Sequence, residues 1–451
     1  MKLNREIFRE YDIRGIVEKD LSDDVVSSIA KGYGTYLQKI SQEKKVVVAR
    51  DNRLSSEHLS SLVTDGLLST GCEVTDIGEV PTPIFYFANH HFTANAGMMI
   101  TASHNPPRFN GFKLVLQRKS IYGKQIQDLR KIAEKGLFKQ GKGNLEKKNI
   151  VENYFKAIRK RIKLERPISL VIDAGNGIAG PFAPEILKSL GCKVDCLYCK
   201  SDGNFPHHPP NPVVPENLTD LIKRVKETKA ELGIAYDGDG DRIGVVDERG
   251  EIIWGDKLLI ILVRDVLQKL PGSKIIFDVK CSQSLAESIK ENGGIPIMWK
   301  TGHSLIEEKL RQEKSPLAGE LSGHIYFADD WFGFDDALYT SARLLQILSR
   351  SKKKLSEYLS GISKYYASPE IRVSAPDTQK FLIVERIKEY FRTKYKISDI
   401  DGVKVFFENG WGLVRASNTE ASLVIRFEAT TADYLEEIKE VIMKEVEKNL
   451  K

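Results

Sequence analysis

The segment Thr101-Ala102-Ser103-His104-Asn105-Pro106 follows the apolar run Gly97-Met98-Met99-Ile100, which reads as a buried strand. A hydroxyl delivered at a strand end, in an exposed-looking turn, is a candidate nucleophile. Further along, Asp237-Gly238-Asp239-Gly240-Asp241-Arg242 sets a carboxylate at every second residue, between the strand-like runs 232–236 and 243–246. Three carboxylates on a tight loop repel one another unless a cation sits among them, and an all-oxygen set suits Mg²⁺. Together the two segments could carry metal-assisted phosphoryl transfer on serine.

Two other patterns are decoys. Asp237, Asp239 and Asp241 with Glu248 at the twelfth position fit much of a calcium-loop template, but Arg242 stands where that loop needs glycine, and the flanks read as strands rather than helices. Asp173-Ala174-Gly175-Asn176-Gly177-Ile178-Ala179-Gly180 satisfies a dinucleotide fingerprint, with Asp195 downstream. The pattern is short, however, and Asp195 lies inside its strand rather than at the end, so nicotinamide binding is disfavoured. Gly319-Glu320-Leu321-Ser322-Gly323-His324 offers a carboxylate, a hydroxyl and an imidazole that could grip sugar hydroxyls and move protons. Arg415-Ala416-Ser417-Asn418-Thr419 has the inventory for a phosphate monoester: a guanidinium, two hydroxyls, an amide and several N–H groups.

The elements that must position these loops alternate between strand and helix in three successive stretches, the pattern of a mostly parallel sheet covered on both faces. Strands are expected at 45–49, 73–75 and 98–100, then 168–172 and 232–235, then 274–277, 295–298 and 324–327; a helix is expected from about Ser55 to Ser69, stopped at Gly71, and another ends near Leu190. After Ser368-Pro369 the pattern changes to strands at 403–407, 413–415 and 423–427 between helices at 378–395 and 432–450. The expected fold is therefore α/β with four domains: 1–150, 151–251 and 252–367 sharing one mixed-sheet topology, and a smaller α+β domain at 368–451.

Composition narrows the function classes. A chain of 451 residues is too long for one core, and 68 basic against 62 acidic residues leave a net charge of +6, which gives no general argument for nucleic acid. The lysines and arginines dense between Arg118 and Arg166 recur at helical spacing and read as a solvated helix face. No signal peptide or membrane span is evident, so a cytoplasmic enzyme is expected. Five cysteines do not make a secreted disulfide framework. Cys192, Cys196 and Cys199 have iron–sulfur spacing, yet they lie along a strand and read as buried free thiols.

The conjunction of T-A-S-H-N-P, D-G-D-G-D-R, G-E-L-S-G-H and R-A-S-N-T-E, in that order, resembles the α-D-phosphohexomutase family over essentially the whole chain. Leu321 and the segments 8–15, 202–206, 300–305 and 335–337 are most similar to its bacterial bifunctional phosphomannomutase/phosphoglucomutase branch. The resemblance implies four domains around a central cleft, each contributing a loop. It implies that Ser103 carries the phosphoryl group, and that Asp237, Asp239 and Asp241 hold one Mg²⁺ with an oxygen of that phosphoserine. His104, Lys113, Arg14, His303 and His324 become the catalytic candidates. Tyr11, Arg242, Lys280, Glu320, Ser322, Arg415, Ser417, Asn418 and Thr419 become the substrate contacts.

The implied reaction moves phosphate between C1 and C6 of mannose or glucose phosphates through a bound 1,6-bisphosphate, with glucose or mannose 1,6-bisphosphate as activator. No membrane or nucleic-acid partner is implied, and a monomer or weak homo-oligomer is expected. The rivals are a phosphoglucosamine mutase, in which glutamine usually stands at the position of Leu321, and a metal-dependent sugar phosphatase. The chain departs from the commonest family pattern at Ala102 and Ala421, neither of which removes a ligand.

Overall fold

The computed structural model describes residues 3–92, 94–418 and 420–450. Its first three sheets repeat one plan. A strand leads through a helix to a second parallel strand, then through another helix to a third, which returns as an antiparallel fourth. In the first sheet these strands are Lys45–Arg50, Glu73–Glu79, Ala96–Ile100 and Phe109–Leu116; in the second Ser169–Asp173, Lys193–Leu197, Leu232–Tyr236 and Ile243–Asp247; in the third Lys274–Asp278, Ile295–Trp299, Leu317–Gly319 and Ile325–Phe327. In each, the first strand lies between the second and the third, both parallel to it. The third strands are buried along their whole length, as expected of strands covered on both faces.

This plan places the chemistry. The turn from third to fourth strand begins at the carboxyl end of a buried parallel strand, where open α/β sheets present their ligand sites. Residues 101–108, 237–242 and 320–324 are those three turns. Main-chain contact couples two of them: Arg242 bridges to His324, and Ile243 N donates to Gly323 O at 3.1 Å. The fourth sheet is antiparallel, built on Val403–Phe407, Gly410–Ala416 and Ser422–Ala429, and is packed by helices Lys380–Arg392 and Ala432–Leu450.

A single apolar cluster runs through the first three sheets, from Val47 and Tyr86 through Tyr154, Ile172 and Tyr236 to Phe327 and Leu344. The fourth sheet has its own cluster around Ile387, Val414, Phe427 and Ile442, and Val279, Trp411 and Leu413 join it to the third. No helix among the described residues is long and apolar enough to cross a membrane.

Two expectations are corrected. The basic stretch is not one helical face: helices cover only Lys124–Lys135 and Val151–Arg161, because Gly136 ends the first in a left-handed cap (φ 67°) and Leu145–Lys147 joins the first sheet as a strand. The three cysteines do lie on or beside the strand Lys193–Leu197, but only Cys192 is buried; Cys196 is exposed, since that strand is the sheet edge and none of its residues is buried. The glycines of 175–180 serve packing: a Cβ on Gly177 would stand 2.9 Å from Gly238 O, and one on Gly180 would stand 2.3 Å from Cys199 O. Ile178 N donates to Gly238 O at 3.0 Å, so the segment buttresses the acidic loop.

Candidate active site

Ser103 is not exposed. Its turn folds under the acidic loop and leaves the residue 1% accessible, with φ at +51°, the left-handed region that a non-glycine residue occupies at a cost of about 1–3 kcal/mol. Its amide donates to Thr101 Oγ1 at 2.9 Å. Its hydroxyl donates to Asp237 Oδ2 at 2.8 Å and lies 3.0 Å from His104 Nδ1.

Asp237 shapes the acidic loop as well as facing the serine, since its Oδ1 accepts the amides of Gly240, Asp241 and Arg242, each at 3.1 Å. Asp237, Asp239 and Asp241 are completely buried and can each offer an oxygen within 4.8 Å of the others. Burial and the two neighbouring carboxylates push the Asp237 carboxyl well above its ordinary range. Oδ1 of Asp239 and Oδ1 of Asp241 are buried without a hydrogen-bond partner. Orphaned anionic oxygens converging on one point fit a hard divalent cation.

Cations border this trio. Lys113 Nζ lies 2.8 Å from Asp239 Oδ2 and closer still to Asp241 Oδ2. Burial alone would lower the Lys113 ammonium, but the two aspartates outweigh it and hold it well above its ordinary range. Arg242 Nε donates to His324 Nε2 at 2.9 Å, so the His324 proton resides on Nδ1, 2.7 Å from Asp335 Oδ2. Burial lowers His324 to about 4 and pushes His104 well below the ordinary histidine range, the latter with help from Arg242 and Arg14. Arg14 is tied by Asp12 at 2.7 Å and donates to Asn105 Oδ1 at 2.9 Å. His303 begins the helix His303–Glu313 with its ring centre 6.0 Å from that of His324; its Nε2 is buried without a partner, and burial with Lys113 lowers it well below the usual range.

A second basic cluster gathers around the fourth sheet. Arg415 donates through Nε to Asp401 Oδ2 at 2.9 Å, leaving Nη2 buried without a partner. Tyr11 meets the Asn418 side chain, and burial pushes its hydroxyl up. Ser417 accepts Glu420 N at 3.1 Å through Oγ. Lys280 pairs with Glu370 at 3.1 Å. Glu320 links the two ends: Oε1 accepts Gly302 N at 2.7 Å, beside the Tyr11 ring, and Oε2 accepts Ser322 Oγ at 3.0 Å. Thr419 lies outside the described residues.

The structure thus gathers the expected residues into two groups. Ser103, His104, Asp237, Asp239, Asp241, Lys113, Arg242, His324 and Arg14 form one, and Arg415, Tyr11, Asn418, Ser417 and Lys280 the other, with Glu320, Ser322 and His303 between. Sequence reasoning missed Asp335, whose Oδ2 lies 2.7 Å from His324 Nδ1, Asp401, which holds Arg415, and Thr82, whose Oγ1 donates to Asp239 Oδ2 at 2.7 Å. Asp401 stands before Gly402 (φ 76°), a turn signal that could have been read; Thr82 carries none.

A serine buried on an acidic trio at the strand ends of a thrice-repeated α/β plan defines a multidomain α/β protein built for phosphate-ester chemistry. Four family models match in order: phosphoglucomutase/phosphomannomutase alpha/beta/alpha domains I, II and III over residues 5–140, 152–250 and 254–365, and the C-terminal domain over 370–445. The phosphomannomutase/phosphoglucomutase of Pseudomonas aeruginosa is 46% identical over 441 residues, covering 97% of this chain and 95% of the relative. The phosphoglucomutase of Neisseria gonorrhoeae is 44% identical over 455 residues, covering 99% of this chain and 98% of the relative. A solved phosphoglucomutase/phosphomannomutase family protein from Burkholderia thailandensis superposes with a TM-score of 0.93 at 42% identity, covering 99% of this chain and 98% of that one. The chain belongs to the phosphoglucomutase/phosphomannomutase family.

Proposed function

We propose that the protein is an isomerase that moves phosphate between C1 and C6 of glucose and mannose phosphates through a phosphorylated Ser103 and a 1,6-bisphosphate held in the cleft. The observation that carries this reading is the placement of the Ser103 hydroxyl, 2.8 Å from Asp237 Oδ2 and 3.0 Å from His104 Nδ1, on a trio of buried aspartates. Asp237, Asp239 and Asp241 would hold Mg²⁺, which when bound offsets charge developing on the transferring phosphoryl oxygens. Glucose or mannose 1,6-bisphosphate would prime the serine.

The chain's own residues supply the rest. Arg415, with Ser417, Asn418 and Thr419, grips the phosphate that does not react, and its free Nη2 is a donor waiting for an anion. Tyr11 and Lys280 border that grip, while Glu320 and Ser322 hold ring hydroxyls. The hexose hydroxyl attacks the phosphorus of phosphoserine, the P–Oγ bond breaks, and the hydroxyl proton must leave. His303 is placed to take it, because burial keeps the ring neutral and Nε2 has no partner. His324 has given its lone pair to Arg242, and Lys113 and Arg14 are fixed as cations by carboxylates. His104 Nδ1, 3.0 Å from Ser103 Oγ, orients the serine oxygen, and the proton taken from the hexose hydroxyl is the one that Oγ recovers as it leaves. The bisphosphate then turns over and its other phosphate goes back to the serine. We place the limits of the four domains at 150/151, 251/252 and 367/368.

Intact-mass and peptide mapping after incubation with Mg²⁺ and glucose 1,6-bisphosphate, beside a coupled assay on glucose, mannose and glucosamine 1-phosphates, tests this. Phosphate on Ser103, isomerisation of the first two sugars and little free phosphate are expected. Full activity in Ser103→Ala overturns the reading, release of phosphate without isomerisation makes the protein a phosphatase, and activity on the amino sugar alone moves it to that branch.

A further inference from the structure

Arg53, three residues past the strand Lys45–Arg50, buries its guanidinium completely beneath the serine turn. Nη2 donates to Ser103 O at 2.7 Å and to Asn105 O at 2.6 Å, while Nη1 donates to Pro106 O at 2.8 Å and to Phe109 O at 3.0 Å. Asp51 fixes the fork from behind, since its Oδ2 accepts Nε at 3.2 Å and its Oδ1 accepts the Arg53 amide at 3.0 Å and Ser56 Oγ at 2.5 Å. Asp51 is itself anchored where the sheet ends, its amide donating to Ile100 O at 2.9 Å. Phe205, from the second unit, caps the guanidinium with its ring centre 5.2 Å away, and Asn52 Nδ2 donates to Asn176 O at 2.8 Å.

A left-handed non-glycine residue persists only where its surroundings over-determine it. One side chain collecting four carbonyls from the turn and the first residue of its return strand, two of them flanking His104, does this for Ser103, and a planar five-donor fork is the side chain suited to serve them from one position. We propose that Arg53 is the positioning residue of the Ser103 nucleophile: it holds the turn in the conformation that aims Oγ at Asp237 and His104, and through Phe205 it locks that turn to the unit bearing the acidic loop. The guanidinium bonds main-chain oxygens and Asp51, not the Ser103 hydroxyl. This role deepens, and rests on, the reading of Ser103 as the phosphoryl carrier.

The test is Arg53→Lys, which keeps the charge and loses the fork, measured by steady-state kinetics, by the rate of Ser103 phosphorylation from glucose 1,6-bisphosphate, and by hydrogen exchange over residues 101–109. A misplacement near 1 Å lowers kcat by about 100-fold, with KM for the hexose phosphate unchanged within about threefold, slower phosphorylation and faster exchange confined to the turn. Should Arg53→Lys not fold, Asp51→Asn, which loosens the fork while retaining the guanidinium, is held to the same criteria. A folded variant with kcat within about threefold of the parent, or with unaltered exchange in the turn, overturns the proposal. Failure of the parent to take phosphate on Ser103 overturns the functional reading instead, and the exchange measurement still decides whether Arg53 holds the turn.

Discussion

Gly238 sits between Asp237 and Asp239 with a backbone that any L-residue can adopt, so Gly238→Ala changes the protein only through its new Cβ. That atom would stand 2.3 Å from Ser103 O, against 3.4 Å for ordinary contact, and the serine turn and acidic loop must part by about 1.1 Å. The carbonyl has no room to retreat, because Arg53 Nη2 holds its other side at 2.7 Å. A misalignment near 1 Å at the reacting atoms is worth about 100-fold in rate, or about 2.7 kcal/mol of barrier. Arg415 and Glu320, the proposed substrate contacts, are untouched, so KM should hold. The coupled mutase assay, at saturating Mg²⁺ and glucose 1,6-bisphosphate, reads kcat directly. A kcat within about threefold of the parent would refute the argument that the spacing of these two loops sets the rate.

Asp336→Ala should lower stability by about 3 kcal/mol, because the carboxylate accepts Tyr154 Oη at 2.8 Å, Trp331 Nε1 at 2.9 Å and the Tyr339 amide at 2.8 Å, and buried donors left unmade are costly; urea unfolding followed by tryptophan fluorescence measures it. Lys404 donates to Val279 O at 2.9 Å over the Trp411 ring, and burial lowers it to about 8. Between pH 8 and its ordinary 10.5 the unfolded chain holds a proton that the folded chain has released, so the parent should gain stability relative to Lys404→Met as pH rises through that window. A difference between the two that stays flat from pH 7 to 10 in denaturant titrations contradicts this. Mg²⁺ should stabilise the fold by about 2.7 kcal/mol at 100 times its dissociation constant and so raise the thermal midpoint, and Asp239→Asn with Asp241→Asn should remove the effect in a fluorescence melt.

The repeated plan was legible because its strands are short, apolar and spaced by helices: 403–407 was read to the residue, and 96–100 and 232–236 within two. The four loops were legible because Ser103, the aspartate trio, Glu320 and Arg415 lie in compact motifs. The groups that set their states were not. Asp335 reaches His324 across a hairpin, Asp401 reaches Arg415 from a turn fourteen residues earlier, and Thr82 meets Asp239 across 157 residues of chain. A single polar residue whose partner is remote leaves no local pattern, and the burial of Ser103 was misread because the cover comes from another sheet. Likewise the edge position that exposes Cys196 depends on strand order, which alternation along one segment does not encode.

The apolar cluster that runs through the first three sheets governs how such an enzyme would be damaged. Heat that loosens the fourth sheet, with its separate core, can spare the other three, which one apolar cluster joins. What survives keeps Ser103, the aspartates and Glu320 but has lost Arg415, the proposed grip on the far phosphate. On the proposed roles, a half-melted molecule of this kind would still take a phosphoryl group and could no longer retain the sugar long enough to give it back, so it would squander phosphate to water instead of isomerising.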